Sequence, residues 1–281
     1  MQLLNTTQSA RMRGARTIAF TFAAAAALIM TAGCETLNGQ PINLLSTQQE
    51  VQLGRELAEQ IEGQETILDD PAVQSYVREI GARLARHAHR QDVEYRFTVI
   101  DAPDTVNAFA LPGGHMYIYT GLMKLCRNEA ELAGVMAHEI GHVAARHHGE
   151  GITRMYGYSL VMRALLGEEP GAVAQMASQF LGTAGHAYFS RGNEREADQI
   201  AAEILWRAGY NPDALAGFMQ QLQNYEAQRG GAANIPLFAT HPPTAERMHL
   251  IRQYVTRFPP DQRAQRPVYE DRYREQALDR L

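Results

Sequence analysis

One pentapeptide constrains this chain more than any other feature. His138, Glu139 and His142 occur in the order His-Glu-Ile-Gly-His. Residues four apart lie one turn above each other on the same face of an α-helix, so both imidazoles can bind one metal ion. Glu139 lies between them and can take a proton from water at that metal without being a ligand. The spacing predicts a zinc site with an adjacent base, and a chance match is the alternative.

The segment around the pentapeptide has the pattern of a helix. Asn128 and Glu131 resemble a capping box, in which two side chains satisfy the first free N–H groups of a helix. An apolar stripe at helical spacing follows, formed by Leu132, Val135, Met136, Ile140 and Val143. We therefore expect both histidines on a rigid element.

Residues 190–198 supply candidates for the remaining metal contacts. Catalytic zinc takes three protein ligands and one open position, and two histidines with one glutamate form a known set. We therefore predict Glu194 as the third ligand. Asp198 lies one helical turn further along and can accept the free ring N–H of a ligand histidine. A solvated charged surface is the alternative for such a run.

Four motifs occur in an order that resembles the zinc metallopeptidases of family 48, the gluzincins typified by the CAAX prenyl protease, HtpX and the bacterial lipoprotein proteases LoiP and BepA. They are the pentapeptide, Ser190-Arg191 with Glu194 and Asp198, residues 107–114, and Thr240-His241-Pro242 followed by Arg247. The resemblance implies a zincin-like α+β fold, mainly α-helical, with a small β-sheet or hairpin beside the active-site helix. It also implies one Zn²⁺ per chain, with the two motif histidines and Glu194 as ligands and Glu139 as the base.

Two runs, 106–111 and 116–120, flank Pro112-Gly113-Gly114 and are predicted to form a β-hairpin whose first strand is an exposed edge. In gluzincins such an edge binds substrate backbone by β-augmentation. The resemblance therefore implies Asn107 and Ala108 as substrate contacts. For Asn107, a role in satisfying a turn is the alternative.

The loop from Arg229 to Pro243 carries His241, and the resemblance implies that it lies over the zinc cleft. Two catalytic roles are open for this imidazole. It can stabilise the tetrahedral intermediate, or it can occupy the open position of the metal as a plug. A histidine in a surface loop without a role at the metal is the third possibility.

The N-terminus has the form of an export signal followed by a lipid attachment site. Three arginines precede an apolar stretch of 15 residues, 17–31, which is too short to span a bilayer comfortably. Ala32, Gly33 and Cys34 then resemble a lipobox, in which the cysteine is diacylated and becomes the first residue of the mature protein. Ordinary cleavage near Ala32 is the alternative. By the same resemblance, Glu35 favours the outer membrane.

The expected organisation has four parts: a lipoprotein signal peptide at residues 1–33, a tether at 34–45, a zinc metallopeptidase domain at 46–258 and a polar, loosely held tail at 259–281. Helices are predicted near 46–61, 70–88, 193–208, 213–228 and 244–258, with a helical hairpin over 152–187. No tetratricopeptide array follows the peptidase part, which departs from BepA.

Composition excludes some functions. Residues 1–33 contain three arginines and no acid, so their removal changes the formal charge from −5 to −8. Nothing basic indicates nucleic-acid binding. Besides the proposed anchor the only cysteine is Cys126, which leaves no intramolecular disulfide framework.

Together these patterns predict a membrane-anchored periplasmic zinc endopeptidase. Its substrates and partners would be damaged, unfolded or misassembled envelope proteins, with the membrane contacted through the lipid on Cys34. The alternative is an envelope chaperone-like or scaffold protein whose zinc is plugged by His241. The presence of Glu139 argues against that alternative, because a pure binding protein needs no base beside its metal. A small-peptide exopeptidase lacks any recognisable terminus-binding motif.

Overall fold

A computed structural model describes residues 36–37, 40–157, 189–228, 235–242 and 244–281. The chain divides into two units, Met1–Ile42 and Asn43–Leu281. In the first unit, the two-residue strands β1 (Thr36–Leu37) and β2 (Gln40–Pro41) pair in antiparallel fashion. Cys34 and most of the predicted helical hairpin over 152–187 lie outside the described residues.

The second unit is mainly helical, as predicted. Its helices are α1 (Thr47–Gln64), α2 (Pro71–Ala85), α3 (Thr120–Leu125), α4 (Glu129–Ala144), α5 (His147–Tyr156), α6 (Arg191–Arg207), α7 (Ala214–Gln228), α8 (Pro236–Thr240), α9 (Ala245–Val255), α10 (Pro260–Ala264) and α11 (Glu270–Gln276), and a 3₁₀ turn covers Leu278–Arg280. Across the described ranges, none of these helices is both long enough and apolar enough to cross a membrane.

Capping residues fix where the helices begin. A capping box between Ser46 and Gln49 forms at the start of α1, which is predicted to begin near residue 46. Asn128 caps α4 by accepting a hydrogen bond from the backbone N–H of Glu131. The Glu131 carboxylate accepts instead from the backbone N–H and the guanidinium of Arg127. Only half of the capping box predicted for α4 therefore forms, but the helix starts where expected.

A small sheet lies beside α4. Its strands are β3 (Arg96–Ile100), β4 (Ala108–Ala110) and β5 (His115–Tyr119), in the order β3-β5-β4. Strand β5 runs parallel to β3 and antiparallel to β4, so the predicted hairpin and its edge strand both form. Gly113 and Gly114 have φ angles of 79° and 110° in the connecting turn, which glycine adopts at little cost. The prediction of an α+β fold with a hairpin beside the motif helix is confirmed.

Helix α4 lies in the centre of the core. Every residue from Glu129 to Val143 is buried, and the helix packs against α2, α6, α7 and β4. At Gly141 the contact with α6 is so close that an added Cβ would lie 2.9 Å from the carbonyl oxygen of Ala197. The absence of a side chain at this position therefore sets the distance between the two helices that carry the predicted zinc ligands.

We expect Gly141→Ala to lower the free energy of unfolding by about 1–3 kcal/mol, the usual range for overpacking a tight contact. The new methyl group would press on backbone rather than on the end of a side chain. Urea denaturation of the metal-free protein measures this loss. Gly63→Ala in α1 is the matched control, because its Cβ would meet nothing within 4 Å. Equal stability of the two variants would contradict the expectation.

Residues 259–281 are not a loosely held tail. Tyr273 in α11 has no exposed surface, and its hydroxyl donates a 2.6 Å hydrogen bond to the carbonyl of Met123. Arg272 lies 3.1 Å from the buried carboxylate of Glu129, the first residue of α4. The expectation of a loose tail is wrong because Tyr273 and Ala277 are fully buried in the core, despite the polar composition around them.

Candidate metal centre

Three parts of the fold bring four donor side chains together. Helix α4 carries His138 and His142, whose Nε2 atoms lie 3.1 Å apart. Helix α6 carries Glu194, whose Oε1 lies 3.4 Å from Nε2 of His142. His241 follows α8 and places its Nδ1 3.3 Å from Nε2 of His138 and 3.0 Å from Oε1 of Glu194. The structure therefore brings the predicted ligands and His241 into one cluster, and all four side chains are buried.

The spacing of these donors fits a tetrahedral metal ion. At zinc–nitrogen and zinc–oxygen distances near 2.0–2.1 Å, the edges of a tetrahedron measure about 3.3 Å. Four of the six separations between the donor atoms, at 3.0–3.4 Å, lie close to that value, and all the donor atoms lie within 4.8 Å of one another. Imidazole nitrogen and carboxylate oxygen also suit zinc. With His241 included, all four positions of a tetrahedron would be filled, whereas a catalytic site keeps one open.

An arginine forms ion pairs with two carboxylates of the site. Arg247 in α9 donates through Nε and Nη2 to both carboxylate oxygens of Asp198, at 2.8 and 2.7 Å. Its Nη1 lies 2.7 Å from Oε2 of Glu194. Oδ1 of Asp198 lies 3.0 Å from Nδ1 of His138, although the two are not aligned as a full hydrogen bond. The sequence shows Arg247 only as part of a motif. Its contacts with Glu194 and Asp198 could not be predicted, because they join residues about fifty positions apart.

Burial and charge shift the pKa values of the site in different directions. Burial alone would lower the pKa of His138, but the carboxylates of Asp198 and Glu194 outweigh it and raise that pKa to about 9. Burial dominates at His142 and holds its pKa well below the usual range. Burial also raises the pKa of Glu139, which suits a carboxylate that must accept and release a proton near neutral pH.

Glu139 lies beside the donor cluster. Its Oε1 lies 3.5 Å from Nε2 of His241 and has no hydrogen-bond partner. The backbone N–H of Ala110, at the end of the edge strand, also faces this carboxylate. The structure thus places Glu139 next to the donor cluster and next to the edge strand, a position that agrees with its predicted role as the base.

The edge strand does not present both predicted substrate contacts equally. The carbonyl of Asn107 accepts a 3.1 Å hydrogen bond from the N–H of Tyr119, so its backbone faces into the sheet. Because backbone groups alternate along an antiparallel strand, Ala108 and Ala110 turn their N–H and C=O groups to the open edge. The N–H of Ala110 already faces Glu139. Ala108 therefore has backbone groups on the open edge, whereas Asn107 can meet a substrate only through its side chain.

An aromatic ring that sequence reasoning did not predict covers the cluster. The ring centroid of Phe189 lies 4.0 Å from that of His142 and 5.5 Å from that of His241, with which it is stacked. Phe189 directly precedes Ser190, the N-cap of α6. The phenyl ring shields the donors, which contributes to the burial that lowers the pKa of His142.

Two further histidines, His147 and His148, lie against the cluster and are buried. They follow His142 by five and six residues, and a helix continuing through this region would turn them away from it. The chain instead adopts a left-handed conformation at Arg146, with φ of 63°, and starts α5 in a new direction. The sequence contains the histidines, but no local signal marks the turn that brings them to the site.

Comparison with known proteins agrees with this geometry. The family description that matches is peptidase family M48, over residues 71–255. The chain belongs to this family. The matched residues include all four donor side chains, and the resemblance stated from the motifs is confirmed. Membership of family M48 agrees with the predicted enzyme class, a zinc metalloendopeptidase.

Three curated relatives illustrate the similarity of this M48 chain. The β-barrel assembly-enhancing protease of Escherichia coli (strain K12) is 30% identical over 226 residues, which cover 77% of this chain and 46% of that protein. The mitochondrial metalloendopeptidase OMA1 of Arabidopsis thaliana is 32% identical over 191 residues, 68% of this chain and 38% of the relative. OMA1 of Schizosaccharomyces pombe is 31% identical over 181 residues, 64% and 52% respectively. The M48 chain thus spans about half, or less, of the length of these relatives.

Proposed function

We propose that this M48 chain is a zinc endopeptidase on the periplasmic side of a bacterial envelope, held by a lipid on Cys34 to the outer membrane. Its substrates are damaged or misassembled envelope proteins. The observation that carries the proposal is the buried cluster of donors with Glu139 beside it. The name of the Escherichia coli relative, which refers to β-barrel assembly, supports a substrate in the envelope.

In this proposal His138, His142 and Glu194 would hold a zinc ion, which would supply acidification of a water molecule and polarisation of the scissile carbonyl. Glu139 accepts the proton of the attacking water and passes it to the leaving amine. Ala108 pairs with substrate backbone along the open edge of β4. Arg247 neutralises the buried carboxylates of Glu194 and Asp198, which keeps the donor side chains in place when no substrate is bound.

The proposal is tested with the purified chain and an unfolded protein, with cleavage and metal content measured in parallel. We expect one zinc ion per chain, loss of cleavage after treatment with a chelator, and recovery when zinc is restored. Cleavage that continues without the metal, or a protein that binds no zinc, would overturn the proposal. An unfolded substrate is chosen because backbone pairing requires an extended segment rather than a particular sequence.

Cys34→Ser is expected to release the protein from the membrane or to stop its processing, because the thiol is where the lipid would be attached. Membrane fractionation and mass spectrometry of the mature N-terminus measure the effect. Cys126→Ser, at the buried second cysteine, is the control and should leave the anchoring unchanged. A mature N-terminus that is unmodified and begins elsewhere would rule out the lipid anchor.

One observation favours a second function. With His241 included, the four donors make a closed set, which is typical of structural zinc sites. The chain would then bind envelope proteins as a scaffold or chaperone without cleaving them. Zinc-loaded protein that cleaves nothing, even after His241→Ala, would favour this alternative over the endopeptidase.

A further inference from the structure

His142 has a second ring nitrogen that points away from the donor cluster. Its Nε2 faces His138, whereas its Nδ1 lies 3.0 Å from Nδ1 of His147. His147 is 2% exposed, and the two ring planes meet at 73° with centroids 4.9 Å apart. Two nitrogen atoms at this separation need one proton between them, because two lone pairs or two N–H groups would repel each other.

Metal binding fixes the direction of that hydrogen bond. A neutral histidine that binds a metal through Nε2 carries its proton on Nδ1. His142 therefore donates from Nδ1 to Nδ1 of His147. The remaining proton of His147 then lies on Nε2, which is 3.5 Å from Oε2 of Glu196. The carboxylate of Glu196 thus selects the tautomers of both His147 and His142.

The position of Glu196 explains why an intervening ring is needed. Glu196 lies in α6 midway between Glu194, a predicted ligand, and Asp198, whose carboxylate lies behind His138. Residues two apart on a helix point about 200° away from each other, so Glu196 cannot reach the cluster directly. Its side chain is 57% exposed, and its Oε2 reaches to 3.5 Å from Nε2 of His147.

We propose that His147 is a positioning residue of the metal centre, which accepts the Nδ1–H of His142 and is itself oriented by Glu196. Helix α6 then serves both motif histidines. Asp198 lies behind His138, and Glu196 acts on His142 through the ring of His147. The inference rests on the proposed binding of zinc by His142.

The backbone between α4 and α5 supports this role. In a continuous helix, residues five apart are separated by about 140° around the axis and do not touch. The left-handed conformation of Arg146 removes that obstacle, at a cost of about 1–2 kcal/mol for a residue other than glycine. Glu50 holds the guanidinium at 3.1 Å, and Arg146 also donates to the carbonyl of Leu45. Strain maintained by buried partners beside a site is typical of a geometry that the site uses.

The test compares zinc affinity, measured by competition with a chelator, in the wild-type chain and two variants. His147→Phe keeps an aromatic ring but removes the acceptor, whereas His147→Gln can accept the Nδ1–H of His142 through its amide oxygen. We expect His147→Phe to weaken zinc binding by about 10- to 100-fold, the usual effect of losing a partner of a metal-bound histidine. His147→Gln should recover most of that loss.

A second pair of variants tests the contact between Glu196 and His147. Glu196→Ala should weaken zinc binding in the same direction as His147→Phe but by a smaller factor. Glu203→Ala is the matched control, since Glu203 lies on the same helix and also pairs with a histidine, His89, at 3.1 Å, far from the cluster. Glu203→Ala should bind zinc as the wild type does.

Urea unfolding of the metal-free proteins distinguishes positioning from space filling. If His147→Phe lost stability but bound zinc with wild-type affinity, the inference would be overturned while the proposed function remained. If His147→Phe failed to fold, Glu196→Ala would decide, and an affinity equal to that of Glu203→Ala would overturn the inference. A wild-type chain that bound no zinc would overturn the proposed function and this inference together.

Discussion

Glu139→Gln is expected to keep one zinc ion per chain and to lose proteolysis by about 10²–10⁴-fold, the usual contribution of a general base. The substitution keeps the size of the side chain but removes its capacity to accept a proton. Glu139 lies outside the donor cluster, so the metal does not depend on it. Hydrolysis of an unfolded protein and zinc content, measured on the same preparation, give the result.

Substitution of a predicted ligand should have a different effect from Glu139→Gln. His142→Ala or Glu194→Ala removes a buried donor, so each should lose the metal together with activity. Glu246→Gln is a control for loss of a negative charge, since Glu246 is exposed and pairs with Arg195 in α6. Undiminished cleavage by Glu139→Gln would show that another group acts as the base.

His241→Ala is expected to raise basal proteolysis. The Nδ1 of His241 lies 3.3 and 3.0 Å from the donor atoms of His138 and Glu194, which is the spacing of a fourth ligand. A water molecule and this imidazole cannot occupy the same position, so the resting enzyme would be latent. Turnover of an unfolded substrate at matched zinc occupancy measures the change.

The opposite result has a defined meaning. If His241 stabilises the oxyanion, His241→Ala should lower turnover by about 10²-fold or more, the usual cost of losing such a donor. An unchanged rate would contradict both roles and leave His241 without a function at the metal. His249→Ala, at an exposed position of α9, is the control and should leave the rate unchanged.

The support of His241 is more rigid than its sequence indicates. The run from Arg229 to Pro243 reads as one long loop, but residues 236–240 form α8, and Ile235 and Leu237 are buried. Arg247 also donates to the carbonyl of Pro242 at 3.2 Å. Release of His241 from the donors would therefore require α8 to move as a unit, which makes a bound substrate or partner a more suitable trigger than spontaneous loop motion.

Local patterns were sufficient to predict the elements that carry the chemistry. The cap at Asn128 and the apolar stripe of α4 are short-range signals, and the pentapeptide specifies its own spacing on a helix. The hairpin was predictable for the same reason, since Gly113 and Gly114 mark its turn. Glu194 was inferred because two histidines leave a catalytic zinc site one protein ligand short. The structure places Glu194 beside both histidines.

The features that were not predicted depend on contacts between distant residues. The ion pairs of Arg247 join α9 to α6, and no periodicity within either helix indicates them. The placement of His147 depends on a left-handed residue, Arg146, held by a glutamate 96 positions earlier. The order of residues 259–281 depends on the burial of Tyr273, whose hydroxyl bonds to a carbonyl 150 positions away. The composition of a segment does not show such buried anchoring residues.

The contacts at the first turn of α4 determine when the domain can fold during synthesis. The N–H of Ala130 donates to the carbonyl of Val268 at 3.1 Å, and Arg272 pairs with Glu129. These partners are made by the ribosome more than a hundred residues after the helix itself. The first turn of the helix that bears the motif histidines therefore gains these contacts only after residues 268–272 have been synthesised. Because domains generally fold as units, we expect a nascent polypeptide to complete its native fold only after these C-terminal residues have emerged from the ribosome.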